Sequence, residues 1–343
     1  MRKILKEVFY GALHAAGLTG MLLRKNRRAV PVLLYHGVTD RRWPGVLDCE
    51  KKHIGAEDFE RQLVFLKKNF QVVRLSSYVA ALRGGERLPE GCAVITFDDG
   101  YADNHAVAFP LLRKHGLPAT LFLAADFVTQ GTALWVDRLA WAFARTELGD
   151  WQDPVEGTRF SLATEAGKTA CYLWVKRRLK LLPDAEREEL VERIGAALLG
   201  SRTEEPPALF APLSRDQVRE LAGSGLIEIG SHGCRHAILT AMSLRDAGLE
   251  ISRSKKTLED LCGQPVTSFS YPNGDFNPEI ARMTAEAGYT CAVAGGLRLN
   301  ESGDADPFAI RRLALAEGDS EAVMAATLSG IRGRMIAWAG VGT

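Results

Sequence analysis

Short apolar runs that alternate with helical patterns constrain the fold of this 343-residue chain more than any other feature. The runs are VLLYH at 32, QVVRL at 71, CAVITF at 92, ATLFLA at 119, LIEIGSH at 226, TSFSYP at 267, YTCAVAG at 289 and AIRRLAL at 309. Most are separated by segments with the 3.6-residue periodicity of amphipathic helices. A strand followed by a helix, repeated, predicts parallel strands with crossover helices. We therefore predict an α/β fold, a distorted (β/α) barrel of about seven strands, with a doubly wound open sheet as the alternative.

One region breaks this alternation and predicts an insertion. About 100 residues between ATLFLA and LIEIGSH contain three helical patterns, near 134–148, 168–182 and 184–199. Polar and Pro-rich loops separate these patterns. We predict a helical insertion at about 126–213, which either covers a substrate cleft or only packs on the barrel. The predicted domains are then an N-terminal helix at 1–30, the barrel at 31–320 and a C-terminal tail helix at 321–343.

The charge distribution argues against nucleic acid as a general partner. Residues 1–30 carry seven basic side chains and one acidic side chain, a net charge of +6, so the rest of the chain is near −5 within a total of +1. A nucleic-acid-binding domain would instead present a basic surface.

The N-terminal segment predicts a basic amphipathic helix. One helical face would carry Leu5, Val8, Phe9, Ala12, Leu13 and Ala16. Such a helix either lies on an anionic membrane or packs on the domain's own surface, and the sequence leaves both open. His14 interrupts the apolar stretch, and no clear cleavage site follows it, which does not fit an export signal. Six cysteines without a CxxC pair predict free thiols in a reducing compartment. We therefore expect a cytoplasmic location, peripheral to the inner face of a bacterial membrane if the helix binds lipid.

Two adjacent carboxylates end the buried run CAVITF. Asp98 and Asp99 follow Phe97 and precede Gly100. Neighbouring carboxylates at a buried strand end repel each other, and a bound cation would compensate for this repulsion. The alternative is that both residues cap the next helix.

A pair of histidines follows the strand pattern of LIEIGSH. His232 and His236 are four residues apart, a spacing that lets both imidazoles share one metal. Two surface histidines are the alternative. Taken with the carboxylates, they predict a His/His/carboxylate site with an open position, as catalytic zinc requires. Zinc is the first expectation, and nickel, cobalt, iron or manganese accept similar ligands.

The motifs TFDDGY and SHGCRH resemble the first and second motifs of the polysaccharide deacetylases that share the NodB homology domain, carbohydrate esterase family 4. The resemblance covers roughly 31–315 and includes SYPNGDF at 270 and LLYHGV at 33. It implies a hydrolase that removes N-acetyl groups from amino sugars with one divalent metal ion. By this resemblance Asp99, His232 and His236 hold the metal, and Asp98 is the general base.

The chain departs from the family pattern at three places. Ser270 stands where the third motif often has an arginine that orients the base, and Arg311 or Arg312 could replace that arginine. Gly233 stands where the second motif usually has Ser or Thr. The late Leu-x-His motif, the usual source of the general acid, is not visible. In the permuted-motif branch of exopolysaccharide and biofilm deacetylases, which this chain most resembles, an early histidine is kept. We therefore predict His36 as the general acid.

Several further residues are predicted to contact substrate, and they are Tyr101, Tyr271, Pro272, Asn273, Arg311 and Arg312. The predicted substrate is an N-acetylated saccharide, either a polysaccharide or a lipid-linked saccharide precursor. One alternative is a deformylase or other deacylase that acts on a lipid-linked or nucleotide sugar. A second alternative is a carbohydrate-binding or scaffold protein with a decayed active site.

Overall fold

A computed structural model describes residues 2–85, 87–200, 205–300 and 306–338. Its strands are β1 (Val32–Tyr35), β2 (Gly37–Thr39), β3 (His53–Gly55), β4 (Gln71–Val72), β5 (Cys92–Phe97), β6 (Ala119–Leu123), β7 (Asp150–Gln152), β8 (Arg159–Ser161), β9 (Ile227–Ser231), β10 (Ser268–Ser270), β11 (Cys291–Gly295) and β12 (Ile310–Arg312).

Its helices are α1 (Arg2–Ala15), α2 (Leu18–Lys25), α3 (Ala56–Asn69), α4 (Leu75–Leu82), α5 (Phe109–His115), α6 (Ala125–Gln130), α7 (Trp135–Arg145), α8 (Glu165–Leu179), α9 (Asp184–Leu199), α10 (Arg215–Gly223), α11 (Leu244–Cys262), α12 (Pro278–Glu286), α13 (Glu321–Leu328) and α14 (Ile331–Trp338). A π-helical turn, Asn104–Ala108, leads into α5.

Seven parallel strands form a nearly closed barrel in the order β1-β5-β6-β9-β10-β11-β12. The last strand returns beside the first, because Leu33 pairs with Leu313 and the N–H of Leu313 donates to the carbonyl of Val32. The predicted distorted barrel is confirmed, and the open-sheet alternative is wrong. The strands read as continuous apolar runs because both faces of a parallel sheet are buried.

Strand β5 illustrates this burial and leads directly to the site. All six of its residues are buried. Ala93, Ile95 and Phe97 belong to the main core cluster, whereas Cys92 and Val94 belong to a second cluster. Because alternate side chains face opposite sides of a strand, β5 is anchored from both sides and its carboxyl end is held in place.

The predicted insertion contributes a wall to the cleft at the carboxyl ends of the strands. Helix α7 packs against α8 and α9, and its first residues, Trp135 and Val136, line a cavity beside Asp98. Hairpin β7–β8 of this region and the short pair β2–β3 were not predicted, because three-residue strands show too little periodicity. The domain boundaries at 126–213 and 31–320 stay predictions.

The N-terminal segment forms two helices, because Gly17 adopts a φ of 73° and separates α1 from α2. Helix α1 packs on α13 through Tyr10, and Lys6 forms an ion pair of 2.6 Å with Asp319. Of the predicted apolar face of α1, Leu13 packs against the Tyr10 cluster, and most of the other side chains are exposed. The exposed side chains include Leu5, Val8 and Phe9.

The described residues contain no helix that is both long enough and apolar enough to span a bilayer. The predicted tail helix is divided into α13 and α14, and residues 339–343 lie outside the described part of the chain. All six cysteines are free thiols, four of them buried and two, Cys49 and Cys262, half-buried.

Candidate active site

Polar side chains from four strand ends meet at one edge of the barrel. Asp98 and Asp99 directly follow β5, and His232 directly follows β9. Ser270 ends β10 and Arg312 ends β12. Because all these strands are parallel, their carboxyl ends lie at the same edge, where sites form in such barrels. This brings together residues that are up to 214 positions apart in the sequence.

Asp99, His232 and His236 form a group that fits a divalent metal ion. Oδ1 of Asp99 lies 3.5 Å from Nε2 of His232 and 3.6 Å from Nε2 of His236. One ligand atom from each residue lies within 4.8 Å of the others. Oδ1 of Asp99 is buried and has no hydrogen-bond partner among the described residues. Since a buried unpaired carboxylate oxygen is costly, the donor set fits a cation.

The orientation of His232 is fixed by the strand next to it. Its Nδ1 donates to the carbonyl oxygen of Ser270 at 2.8 Å, which leaves Nε2 as the free nitrogen facing Asp99. A metal-binding histidine usually donates its other N–H in this way. The pairing of β9 with β10 therefore places the orienting carbonyl beside this candidate ligand.

The ionisation states in the group also suit a cation. Burial lowers the pKa of His236 to about 3, so this imidazole is neutral at pH 7. Burial by itself would raise the pKa of Asp99, but His236, His36 and Lys52 outweigh burial, and its pKa is well below the usual value. Neutral imidazole and ionised carboxylate are the forms that bind metals.

Asp98 is held by a two-pronged ion pair with Arg312. Nη1 and Nη2 of Arg312 donate to Oδ1 and Oδ2 of Asp98 at 2.7 and 2.6 Å. Nη2 also donates to the hydroxyl of Ser270 at 2.9 Å, and that hydroxyl lies 3.3 Å from Oδ2 of Asp98. Burial opposes ionisation of Asp98, but Arg312 and His232 outweigh burial, so its pKa is lowered. Arg312 thus reaches from the last strand to the carboxylate that the sequence indicated as the base.

His36 lies in the same cavity as the other site residues. It follows β1, which pairs with β5, and it lines a cavity of about 200 Å³ together with Asp98, Asp99, His232 and His236. Its backbone carbonyl accepts a hydrogen bond of 2.7 Å from Nδ2 of Asn104. Burial lowers the pKa of His36, and the nearby carboxylates Asp99 and Asp98 partly oppose this effect.

The backbone at the site is held in an uncommon conformation. Asp99, His236 and Asn273 have φ values of 75°, 58° and 61°, and they are three of the four non-glycine residues with positive φ in the described chain. Such backbone conformations cost free energy and concentrate at functional sites. Gly100 has a φ of 98°, and a Cβ there would lie 2.9 Å from Cδ2 of Leu123, so the turn after Asp99 has room for glycine alone.

The structure separates the six predicted substrate-contact residues into two groups. Arg312 and Asn273 line the cavity. The other four do not. Tyr101 is fully buried and donates to Asp137 at 2.8 Å, and the hydroxyl of Tyr271 donates to the carbonyl of Phe308 at 3.0 Å.

The remaining two residues do not line the cavity either. Pro272 is buried, and Arg311 is exposed on the other side of β12 from Arg312. Substrate contact by Tyr101, Tyr271, Pro272 and Arg311 stays a prediction, and none of the four lines the cavity.

Several cavity residues were missed by the sequence analysis, and most come from the insertion. They are Trp135, Val136, Lys176 and Lys180, together with Lys52 from the loop before β3. Lys52 donates to Tyr101 at 2.8 Å and to Asp137 at 3.0 Å. Burial would lower the pKa of Lys52, but Asp137 and Asp99 outweigh burial and raise it. No local pattern marks these residues, because only the docking of the insertion brings them to the site.

This fold and site define a (β/α)-barrel hydrolase with a candidate metal centre. The family model described as polysaccharide deacetylase matches residues 85–153 and 175–292, more than half of the chain. The chain therefore belongs to the polysaccharide deacetylase family, hydrolases that act on carbon–nitrogen bonds other than peptide bonds, as predicted. The matched residues include Asp98, Asp99, His232 and His236, whereas His36 and Arg312 lie outside them.

Two proteins with similar sequences are named as polysaccharide or poly-N-acetylglucosamine deacetylases. The polysaccharide deacetylase-like protein YxkH of Bacillus subtilis (strain 168) is 21% identical over 308 residues, which cover 88% of this chain and 77% of that protein. The poly-β-1,6-N-acetyl-D-glucosamine N-deacetylase of Escherichia coli (strain K12) is 41% identical over 86 residues, which cover 25% of this chain and 12% of that protein.

Two solved structures show the same fold. The deacetylase PplD of Streptococcus pyogenes has a TM-score of 0.57 at 17% identity, and the match covers 88% of this chain and 98% of that chain. IcaB from Ammonifex degensii has a TM-score of 0.56 at 20% identity, with 88% and 97% covered.

Proposed function

We propose that this chain is a metal-dependent deacetylase that hydrolyses N-acetyl groups of amino sugars, in a polysaccharide such as an exopolysaccharide or in a lipid-linked saccharide precursor. The observation that carries the proposal is the arrangement of two adjacent carboxylates. Asp98 is paired with Arg312, while Asp99 keeps an unpaired oxygen facing two imidazole nitrogens. One carboxylate is therefore available for proton transfer and the other for metal binding.

Asp99, His232 and His236 would hold the metal, with zinc as the first expectation. A divalent cation held there would polarise the amide carbonyl as a Lewis acid. The chain's own residues supply proton transfer. Asp98, ionised and oriented by Arg312, accepts a proton from the attacking water. As the C–N bond breaks, His36 donates a proton to the leaving nitrogen, and the products are a free amine and acetate.

The pKa of His36 sets a requirement for its role. A general acid must carry its proton when the bond breaks, and burial favours the neutral form of His36. The acid role therefore requires that the substrate complex raises this pKa. The decayed-site alternative is disfavoured because Asp98, Asp99, His232 and His236 are all present and line one cavity.

The test is release of acetate from neutral N-acetylhexosamine oligomers and lipid-linked N-acetylamino sugars by purified wild-type protein and Asp98→Asn. We expect acetate from the wild type and a large loss with the variant. Release of formate or of a longer acid from the corresponding acyl sugars, without release of acetate, would mean that the enzyme removes a different acyl group. No acid from any substrate, with the wild type loaded with metal, would overturn the proposal.

We further propose that α1 and α2 contact an anionic membrane and hold the protein at its cytoplasmic face. Support comes from the exposed apolar stripe of α1, in which Val8 is 66% and Leu5 is 62% exposed. Basic residues 24, 25 and 27 are exposed at the end of α2 and just after it. Apolar insertion combined with attraction to anionic headgroups is how interfacial helices bind.

Vesicle sedimentation tests this contact. Wild-type protein should bind vesicles containing 30% phosphatidylglycerol more strongly than pure phosphatidylcholine, and Val8→Glu should weaken binding several-fold. Val155→Glu is the matched control, because Val155 is 58% exposed but lies in the insertion. Equal binding by wild type and Val8→Glu would show that the stripe does not touch lipid.

A further inference from the structure

The cavity above the metal-ligand group is lined by more cations than the reaction requires. Its floor consists of the strand-end residues already described. One side is formed by the insertion, with Trp135 and Val136 from the start of α7 and Lys176 and Lys180 from the end of α8. Lys52 lies between this side and Asp99.

Three of these cations already have a carboxylate partner. Arg312 is paired with Asp98, and Lys52 lies 3.0 Å from Asp137. Lys176 forms an ion pair with Glu50 and is nearly fully buried. These pairs leave little net charge on the groups concerned, so they fix side chains in place rather than attract a ligand.

Lys180 is different, because its ammonium group makes no hydrogen bond or ion pair with any described residue. It directly follows α8, one turn beyond Lys176, and it is half-buried. Burial and the neighbouring Lys176 lower the pKa of its ammonium group, and the more distant carboxylates Glu50 and Asp275 oppose this effect only in part. A partly buried ammonium without a partner is unfavourable, and an anion in the cavity would remove that cost.

We propose that Lys180 binds an anionic group, a phosphate or a carboxylate, carried by the sugar that is deacetylated. This inference rests on the proposed function and narrows its substrate class to acidic N-acetylamino sugars. A divalent cation with the single charge of Asp99 adds further positive charge at the floor of the cavity. The electrostatic field of the loaded site would therefore favour an acidic sugar over a neutral one.

A second unpaired group lies on the same side of the cavity. Trp135 is only 1% exposed, and its buried Nε1 has no hydrogen-bond partner among the described residues. Buried indole N–H groups usually find an acceptor. An acidic sugar brings both kinds of acceptor that this side lacks, an anion for the ammonium group and hydroxyl or carbonyl oxygens for the indole.

The test compares three sugars that differ in charge. They are methyl N-acetylglucosaminide, which is neutral, N-acetylglucosamine 1-phosphate and N-acetylmuramic acid, which carries a carboxylate. Binding is measured by isothermal titration calorimetry, and acetate release is measured in parallel. Wild-type protein should bind at least one acidic sugar roughly tenfold more tightly than the neutral one, the scale of one hydrogen bond to a charged group.

Lys180→Gln should reduce this preference to less than about threefold, by weakening the binding of the acidic sugar more than that of the neutral one. Arg177→Gln is the matched control, because it removes the same charge from the same helix at an exposed position. Preference for the phosphate alone or the carboxylate alone supports the inference and names the anion. No preference in the wild type, or a preference that survives in Lys180→Gln, overturns it.

The two readouts separate this inference from the proposed function. Acetate release from neutral oligomers, without any preference for acidic sugars, would support the deacetylase activity and reject anion binding by Lys180. Lys180-dependent binding of an acidic sugar without acetate release from any substrate would keep the anion site and reject deacetylation.

Discussion

The floor and the insertion side of the cavity differ in how their polar groups are used. On the floor, Asp98, Arg312 and Ser270 bond to one another, and His232 is oriented by a backbone carbonyl. On the insertion side, Lys180 and the indole N–H of Trp135 have no partner in the described chain. A preorganised floor suits chemistry, since catalytic groups must not rearrange during the reaction. Unpaired groups on the side suit recognition, since the substrate completes their bonding.

This difference predicts two kinds of kinetic effect. Changes on the floor should lower kcat, because they remove interactions made in the transition state. Changes on the insertion side should raise KM with a smaller change in kcat, because they remove substrate binding.

Removal of the metal should have the largest effect. Dialysis against a chelator should reduce turnover to background and lower the melting temperature, and added zinc should restore both. At a free metal concentration of 100 times Kd, the expected stabilisation is about 2.7 kcal/mol. Differential scanning calorimetry checks this, with Asp99→Ala as the control whose melting temperature should not respond to zinc. Full turnover by metal-free protein would show that Asp99, His232 and His236 do not hold a catalytic metal.

Loss of the base should be the next largest effect. Asp98→Asn should lower kcat by about 10²–10⁴-fold, the range of general acid–base catalysis. His36→Ala should give a similar but smaller loss. Both are measured as acetate release at saturating substrate, with the metal content of each variant determined. If His36→Ala kept near-normal turnover while Asp98→Asn was inactive, His36 would not be the general acid.

Loss of Arg312 should change the pH profile as well as the rate. Arg312→Gln leaves Asp98 buried without its cation, so we expect kcat to fall about 10–100-fold. Arg312 lowers the pKa of Asp98 and burial raises it. Without Arg312 the carboxylate takes up a proton at higher pH, so the acidic limb of the kcat/KM profile should move to higher pH.

Arg311→Gln is the matched control for this effect. Arg311 is the preceding residue on the same strand, but its side chain is exposed and lies outside the cavity. Its removal should leave the profile unchanged. An equal shift in both variants would mean that general charge, and not the ion pair with Asp98, sets the pH dependence.

The sequence predicted the floor because local patterns mark it. Asp98 and Asp99 stand out since they end a run of buried apolar residues, and His232 with His236 has a spacing that fits one metal. The barrel itself follows from the same runs. By contrast, Arg311 and Arg312 could not be separated, because a three-residue strand does not reveal which side chain faces the site. Tyr101 looked like a substrate contact, but Asp137 and Lys52 from other elements bind its hydroxyl.

The insertion side was missed for a physical reason. Trp135 begins α7 and Lys180 directly follows α8. In and beside helices a lysine is usually solvated and a tryptophan usually packs in the core. Their position at the cavity depends on how α7 and α8 dock on the barrel. Docking is set by tertiary contacts between distant segments, and no local sequence signal reports it.

The smallest predicted effect concerns Trp135. Trp135→Phe keeps an aromatic ring beneath Arg187, whose guanidinium lies 5.3 Å from the indole ring, and removes only the N–H donor and some volume. If substrate completes the bonding of that N–H, KM should rise about threefold to tenfold, with a smaller change in kcat, as the loss of one hydrogen bond predicts. Steady-state kinetics with the best substrate of the acetate-release panel measures this.

Trp174→Phe provides the comparison for Trp135→Phe. Trp174 is a half-buried tryptophan in α8 that contacts Phe160 of the hairpin, with ring centroids 5.0 Å apart, and it does not line the cavity. Its replacement should leave both kinetic constants near wild type. If Trp135→Phe lowered kcat more than it raised KM, the indole would act with the floor during bond breaking. The division of labour between floor and insertion side would then be wrong, because a group outside the strand ends would contribute to the transition state.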